Sequence, residues 1–173
     1  MYKINDVICY QNYGICQIID IKELTVMNNK ARKYYFMRKM FDKCDSTIIK
    51  IPVDTDNIMR HVITKEDALV LIDSIPSLDP VWVKDVRERE TLFKSMISSW
   101  KMEEWVKVIK SIYLMRQENR NSDKPKPLPI IDMKYFEKAE SLFNQEMAYA
   151  LELSENEIPL YIEKMIENSM DLS

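Results

Sequence analysis

A chain of 173 residues, 46% hydrophobic and 31% charged, with a formal net charge of −3, has the make-up of a soluble globular protein that can bury one core or two small ones. The charge is split, +3 over residues 1–60 and −6 over the remainder, and neither part has the basic excess of a protein that holds DNA unaided. Gly14 is the only glycine, which excludes a glycine-rich phosphate loop. Cys9, Cys16, Cys44 and the single histidine, His61, lack zinc-ligand spacing. The thiols are read as reduced, half-buried groups that pack as small apolar side chains. His61 has no nucleophile or acid beside it in sequence. No metal, no cofactor and no enzymatic activity are expected. The opening residues MYKINDVICY carry polar groups throughout and no long apolar run, so neither a signal peptide nor a membrane-spanning helix is expected, and the cytoplasm is the default location.

From the start of the chain to residue 60, short β-rich runs with period-two alternation recur: VICY, GICQIIDI, KYYFMRKM and TIIKIPV. They predict the strands of a small antiparallel sheet or barrel. QNYG closes on the one residue that takes positive φ freely, and MNNK offers Asn-Asn for a tight hairpin. In TIIKIPV, Ile49, Ile51 and Val53 share one face and Lys50 points to the other, into solvent or a partner.

After residue 60 the period becomes helical. TKEDALVLIDSI opens with Thr64 and Asp67 in capping-box spacing and sets Ala68, Leu71, Ile72 and Ile75 on one face. Pro76 and Pro80 break the chain. A second helix is predicted from about Val81 to Ser98. A third runs from about Lys101 to Asn119, with Met102, Trp105, Ile109, Ile112 and Tyr113 inward. NSDKPKPLP makes a loop. A fourth helix, about Asp132 to Leu151, carries Phe136, Ala139, Phe143, Met147 and Ala150 as its stripe. SENE has capping-box spacing, but Pro159 argues for starting the last helix nearer that proline. The fold class is therefore α+β: a small antiparallel sheet over residues 1–60, then an all-α bundle of four to five helices over residues 61–173.

The order and wording of these pieces carry a resemblance. INDVICYQNYGICQIIDI resembles the start of the CarD-like bacterial transcription regulators (CarD/CdnL): a short strand ending in tyrosine, a turn closing on glycine, then an isoleucine-rich strand. YYFMRKM and TIIKIPVDTDNIMRHVITKEDAL fit the strands and capped helix that follow. VWVKDVRERE stands where that family has a tryptophan followed by basic residues, and EKAESLFNQEMAYAL resembles its late helix. Transcription-repair coupling factors carry a similar polymerase-binding module, but a helical half without helicase motifs favours the CarD-like reading.

The resemblance implies a Tudor-like N-terminal domain that binds the β subunit of bacterial RNA polymerase. It also implies a helical domain that contacts promoter DNA at the upstream edge of the melted bubble and steadies the open complex. By matching position, Trp82 acts as a minor-groove wedge. Lys84 and Arg87, one turn apart, fix its register on phosphates, and Lys94 extends their face. Arg89 adds basic charge on another face. On the polymerase side Lys50 matches a basic contact position. A second family arginine falls at Leu24 in a gapless reading, with Lys22 on the same face as its substitute. Asp85, Glu88 and Glu90 set acidic charge close to the DNA face, and SWK replaces the family's Gly-Asp turn, leaving Trp100 exposed with no assigned role.

Periodicity opposes the wedge. On one continuous helix Trp82, Val86, Phe93 and Ile97 share an apolar face, the pattern of a core tryptophan, whereas two residues after Pro80 the indole can still point off the helix end. Two other readings compete: a protein-only adaptor without DNA contact, and a small cysteine- or histidine-dependent enzyme. Nothing in the chain demands more than a monomer.

Overall fold

Apolar residues at every second position build a sheet with one buried face, and this pattern forms the first unit, Met1–Ile63. The structure, a computed structural model, describes residues 1–11, 13–26, 30–41, 47–54 and 59–171. Cys44, Asn12 of the QNYG turn and residues 27–29 of the MNNK hairpin lie outside them. The described residues of this unit form β1 (Val7–Tyr10), β2 (Gly14–Val26), β3 (Lys30–Lys39), β4 (Ile48–Pro52) and β5 (Met59–His61). The strands are antiparallel and lie in the order β4, β3, β2, β1, β5. Ile8, Cys16, Ile18, Tyr35, Met37 and Ile51 are among the buried residues that form the core. Gly14 opens β2 at φ 75°, the left-handed conformation that a Cβ would oppose. Pro52 ends the edge strand β4, where no neighbour needs its missing N–H.

β5 extends the sheet beyond the sequence-based boundary at residue 60. Arg60 pairs with Cys9 and His61 with Ile8. The Tyr2 hydroxyl donates to the Met59 carbonyl at 3.1 Å, and the His61 ring stands edge-on to Tyr2 at 5.1 Å. His61 is thus a strand residue at the sheet edge. Three residues are too short to show an alternation, so period-two patterning does not reach this strand.

The second unit is Thr64–Ser173. Its described residues form α1 (Lys65–Ser74), α2 (Val86–Ser98), α3 (Met102–Arg120), α4 (Ile130–Leu151) and α5 (Ile158–Asp171), so the architecture is α+β as the patterning predicts. Thr64 caps α1, its hydroxyl accepting from the Asp67 N–H at 3.1 Å. The capping box at Ser154 is formed and closes a 3-10 turn over Glu155–Glu157. α5 then begins at Ile158, with Pro159 in its first turn, where a missing N–H costs nothing. None of the described helices is long and apolar enough to cross a membrane.

Three expectations change. α2 starts at Val86, not Val81, because Asp85 caps it. Tyr113 is exposed: α3 packs against both α2 and α4, so Val108 and Ser111 are buried too and the inner face shifts away from the tyrosine. Trp100, expected outside, is 6% exposed. It holds φ 60° just past the end of α2, where glycine usually sits, and stands edge-on to Trp105 at 5.5 Å. The Trp105 indole N–H donates to the Ile97 carbonyl at 3.2 Å, satisfying one of the orphan acceptors of the last turn. Two indoles thus close the turn.

Two outcomes follow. Replacing Trp100 with alanine removes the buried indole but keeps the left-handed strain, so chemical denaturation should show a loss of about 3–5 kcal/mol; Trp100→Gly relieves the strain and should be the more stable of the two by about 1 kcal/mol. The reverse order would contradict a strained, packing-held turn. Cys16 lies in the sheet core, and burial pushes its thiol from an ordinary 9.0 up to about 12. Between those values the unfolded chain binds fewer protons than the folded one, so stability falls as pH rises through the interval. Iodoacetamide at pH 8 should label Cys16 only in denaturant; native labelling, read by peptide mass spectrometry, would mean an open sheet.

Candidate functional site

A one-residue irregularity in β2 decides which side chains the sheet offers to a partner. The pairing shifts between Ile18 and Asp20. Before the shift Cys16 and Ile18 face the core, and after it Ile21 packs there instead. Unbroken alternation would drive Asp20 and Lys22 inward; a bulge turns both to the outer face. There Asp20 lies opposite Phe36, Phe36 opposite Lys50, and Lys22 opposite Tyr34. The ammonium groups of Lys22 and Lys50 stand 5.6 and 5.3 Å from the centre of the Phe36 ring. Two cations sharing one ring gain about 0.5–1 kcal/mol each at such exposed sites.

Lys22 also lies 2.6 Å from the Asp20 carboxylate, and its hydrogen bond holds that carboxyl below the usual range. Lys50 has no acidic partner among the described residues. Leu24 is half-buried and sits opposite Arg32, whose guanidinium pairs with Asp54 at 2.7 Å. An arginine therefore does stand on this face, one strand across from the position a gapless reading assigns. Cross-strand register, which sequence spacing does not contain, is what brings it there.

In the helical unit the decisive feature is where α2 begins. The Asp85 carboxylate accepts from the N–H groups of Arg87 and Glu88 at 2.9 and 3.0 Å, an N-cap with extended backbone. Trp82 is therefore not on the helix at all, and its 3.6-residue relation to Phe93 and Ile97 has no physical meaning. The indole is 53% exposed. One side of it lines a shallow groove with Met115, Glu118 and Asn119 of α3 and with Lys126, Pro127 and Leu128 of the proline-rich loop.

The segment bearing Trp82 is tied down on both sides. The Val81 N–H donates to the Ser111 hydroxyl at 2.7 Å, and that hydroxyl donates to the Lys107 carbonyl at 2.6 Å. Arg89 Nη1 donates to the carbonyls of Val83 and Lys84 at 2.7 and 3.2 Å. Further back, the Lys110 ammonium donates to the carbonyls of Ile75, Pro76 and Leu78. The indole is half exposed on a backbone that is held rather than loose.

Arg89 is the clear correction among the basic residues. It is 5% exposed, and its Nε and Nη2 donate to the two oxygens of Asp132 on α4 at 2.8 and 2.5 Å. With those donors and Nη1 engaged internally, Arg89 cannot grip a phosphate. Lys84, Arg87 and Lys94 are exposed and have no acidic partner among the described residues. Lys84 precedes the cap, so it does not share a helical face with Arg87 as expected. Arg87 and Lys94 do share one, being two turns apart. Of the acidic neighbours, Asp85 is occupied by capping, and Glu88 stands in the first turn, where negative charge favours the helix dipole.

Lys126 lines the groove beside Trp82 and, like Phe36 on the sheet, is not singled out by the sequence. Asn119 at the end of α3 accepts from the Lys126 N–H at 2.9 Å and donates to its carbonyl, folding the proline-rich loop back beside Trp82. Its only sequence signal was the lysine-proline alternation, read simply as a loop. No group of His, Cys, Asp and Glu among the described residues is arranged to hold a metal ion.

Residues 2–63 match the family model described as the CarD-like/TRCF RID domain. No curated protein matches the chain. The match ends where the first structural unit ends, so it covers the sheet with Lys22, Phe36 and Lys50 and stops short of Trp82. Over those residues the N-terminal unit is similar to the CarD-like/TRCF RID domain, the likeness that the sequence of the strands suggests.

Proposed function

We propose that this protein is a transcription regulator with two points of attachment. Its sheet unit binds RNA polymerase on the β subunit, using the outer face with Lys22, Phe36 and Lys50. Its helical unit touches promoter DNA at the upstream edge of the bubble without reading sequence and lengthens the life of the open complex. The observation that carries the DNA half is Trp82, a large ring held outside α2 with half its surface exposed. An apolar ring at an unstacked base step favours distorted DNA over closed duplex. Lys84 and Arg87, with Lys94 further along α2 and Lys126 across the groove, supply phosphate contacts that set register but carry no sequence information.

A second reading, a protein-only adaptor, draws on the acidic residues near Trp82. Glu118 lines the same groove, and Asp85 and Glu88 are exposed. On that reading Trp82 anchors a protein partner, as aromatic rings do at interfaces.

The first test is the lifetime of an open complex formed by the polymerase of the same cell. The wild type should lengthen it, and a folded Trp82→Ala variant should lose most of that gain; a tenfold change corresponds to about 1.4 kcal/mol. Equal lifetimes with wild type and variant would favour the adaptor. On the other face, Lys50→Glu should weaken binding to a β-subunit fragment about tenfold at low salt, and the difference should shrink as salt rises. Unchanged affinity in Lys50→Glu and in Lys22→Glu would remove the sheet face from the interface.

A further inference from the structure

Arg89 and Asp132 form a buried ion pair with both side chains almost wholly out of solvent. Such pairs are no aid to stability as a rule, because apolar residues of similar volume fill the same space without the cost of desolvating two charges. What an apolar pair cannot do is hold backbone carbonyls. Four of the five guanidinium N–H donors are used here: two on Asp132 and two on the carbonyls of Val83 and Lys84. Those carbonyls precede the Asp85 cap and belong to no helix or strand. Asp132 lies in the first turn of α4, so the arginine ties the segment to a second helix as well as to its own.

We infer that Arg89 is a positioning residue, held in one orientation by Asp132, that fixes the backbone of Val83 and Lys84 and so sets where the Trp82 indole stands. The inference rests on the reading of Trp82 as the DNA-contacting ring and adds the device that aims it. The other side of Trp82 is held independently, by Ser111 on the Val81 N–H. The ring thus projects from a residue gripped before and after, which lowers the ordering cost of contact. A lysine at position 89 can reach one carboxylate oxygen but has no planar fork to span Asp132 and two carbonyls together.

The experiment uses the full chain with Arg89→Lys, and with the double change Arg89→Met and Asp132→Leu in case the single variant does not fold. Indole ¹⁵N relaxation, with the Trp82 signal assigned by its loss in Trp82→Phe, reads the ring directly. The order parameter should fall from about 0.85 toward about 0.6 or lower while the Trp100 and Trp105 signals stay in place. Open-complex lifetime should fall toward that of Trp82→Ala, and Arg89→Lys should cause no further loss when added to Trp82→Ala. An unchanged Trp82 order parameter in a folded variant overturns the inference. So does a loss of lifetime that adds in full to that of Trp82→Ala, since Arg89 would then act by another route. If Trp82→Ala itself leaves lifetime unchanged, the DNA reading fails, and the order parameter alone still decides whether Arg89 positions the ring.

Discussion

The hydrogen bonds from Arg87 and Glu88 to the Asp85 carboxylate decide what the helical unit can offer. An N-cap residue has extended backbone, so the chain before it cannot be helical. Everything on the N-terminal side of Asp85 is thereby released from helical periodicity and must find other partners for its backbone polar groups. Ser111, Arg89 and Lys110 supply them. The same carboxylate that looks, in sequence, like an obstacle to phosphate binding is the group that keeps Trp82 off the core face. Its charge is directed at backbone N–H groups, not left free beside the ring.

The sheet unit depends on a comparable local departure from regularity. A strand of thirteen residues with unbroken alternation would commit Lys22 to the buried face, at a cost no short hydrophobic core could bear. The bulge resolves this by changing phase once. Ile21 then joins the core while Lys22 and Asp20 turn to the face that already carries Phe36 and Lys50. The cluster of cation, ring and cation is thus a consequence of register.

Much of this was legible in the sequence, and the parts that were not share a cause. Strands β1 to β4, a bundle of four to five helices and the change of character near residue 60 follow from periods of 2 and 3.6, which are properties of local stretches. The start of α2 was misjudged because Pro80 and Asp85 are both start signals, and only the hydrogen-bond geometry distinguishes a helix opened by one from a helix capped by the other. The burial of Arg89 is not legible in the sequence because nothing near it reveals Asp132, 43 positions away. Exposure of Trp100 is expected because SWK stands where the family has a Gly-Asp turn, and its packing against Trp105 depends on where α3 returns. Lys22 and Lys50 were named from the resemblance, but that Phe36 joins them needed the strand pairing. Local rules reach caps and faces; they do not reach contacts made by chain return.

The uneven charge acquires a physical sense on the two-handed reading. A helical unit with an acidic balance has little affinity for DNA of its own, since non-specific binding scales with the phosphates neutralised. That weakness is useful if the unit is meant to act only where polymerase has carried it. Residues 62–64 are all that separate β5 from α1, so on that reading binding of the sheet unit would bring Trp82 to promoter DNA at an effective concentration of order millimolar. A strongly basic helical unit would instead distribute over closed duplex throughout the genome and draw the protein away from polymerase. With few cations and one pre-placed ring, preference for the melted edge would then come from the shape and unstacking of the DNA, and the anchor on polymerase would supply the remaining affinity. Rigid placement of the ring matters more in such a design than charge, because a weak contact has little free energy left to order a mobile loop.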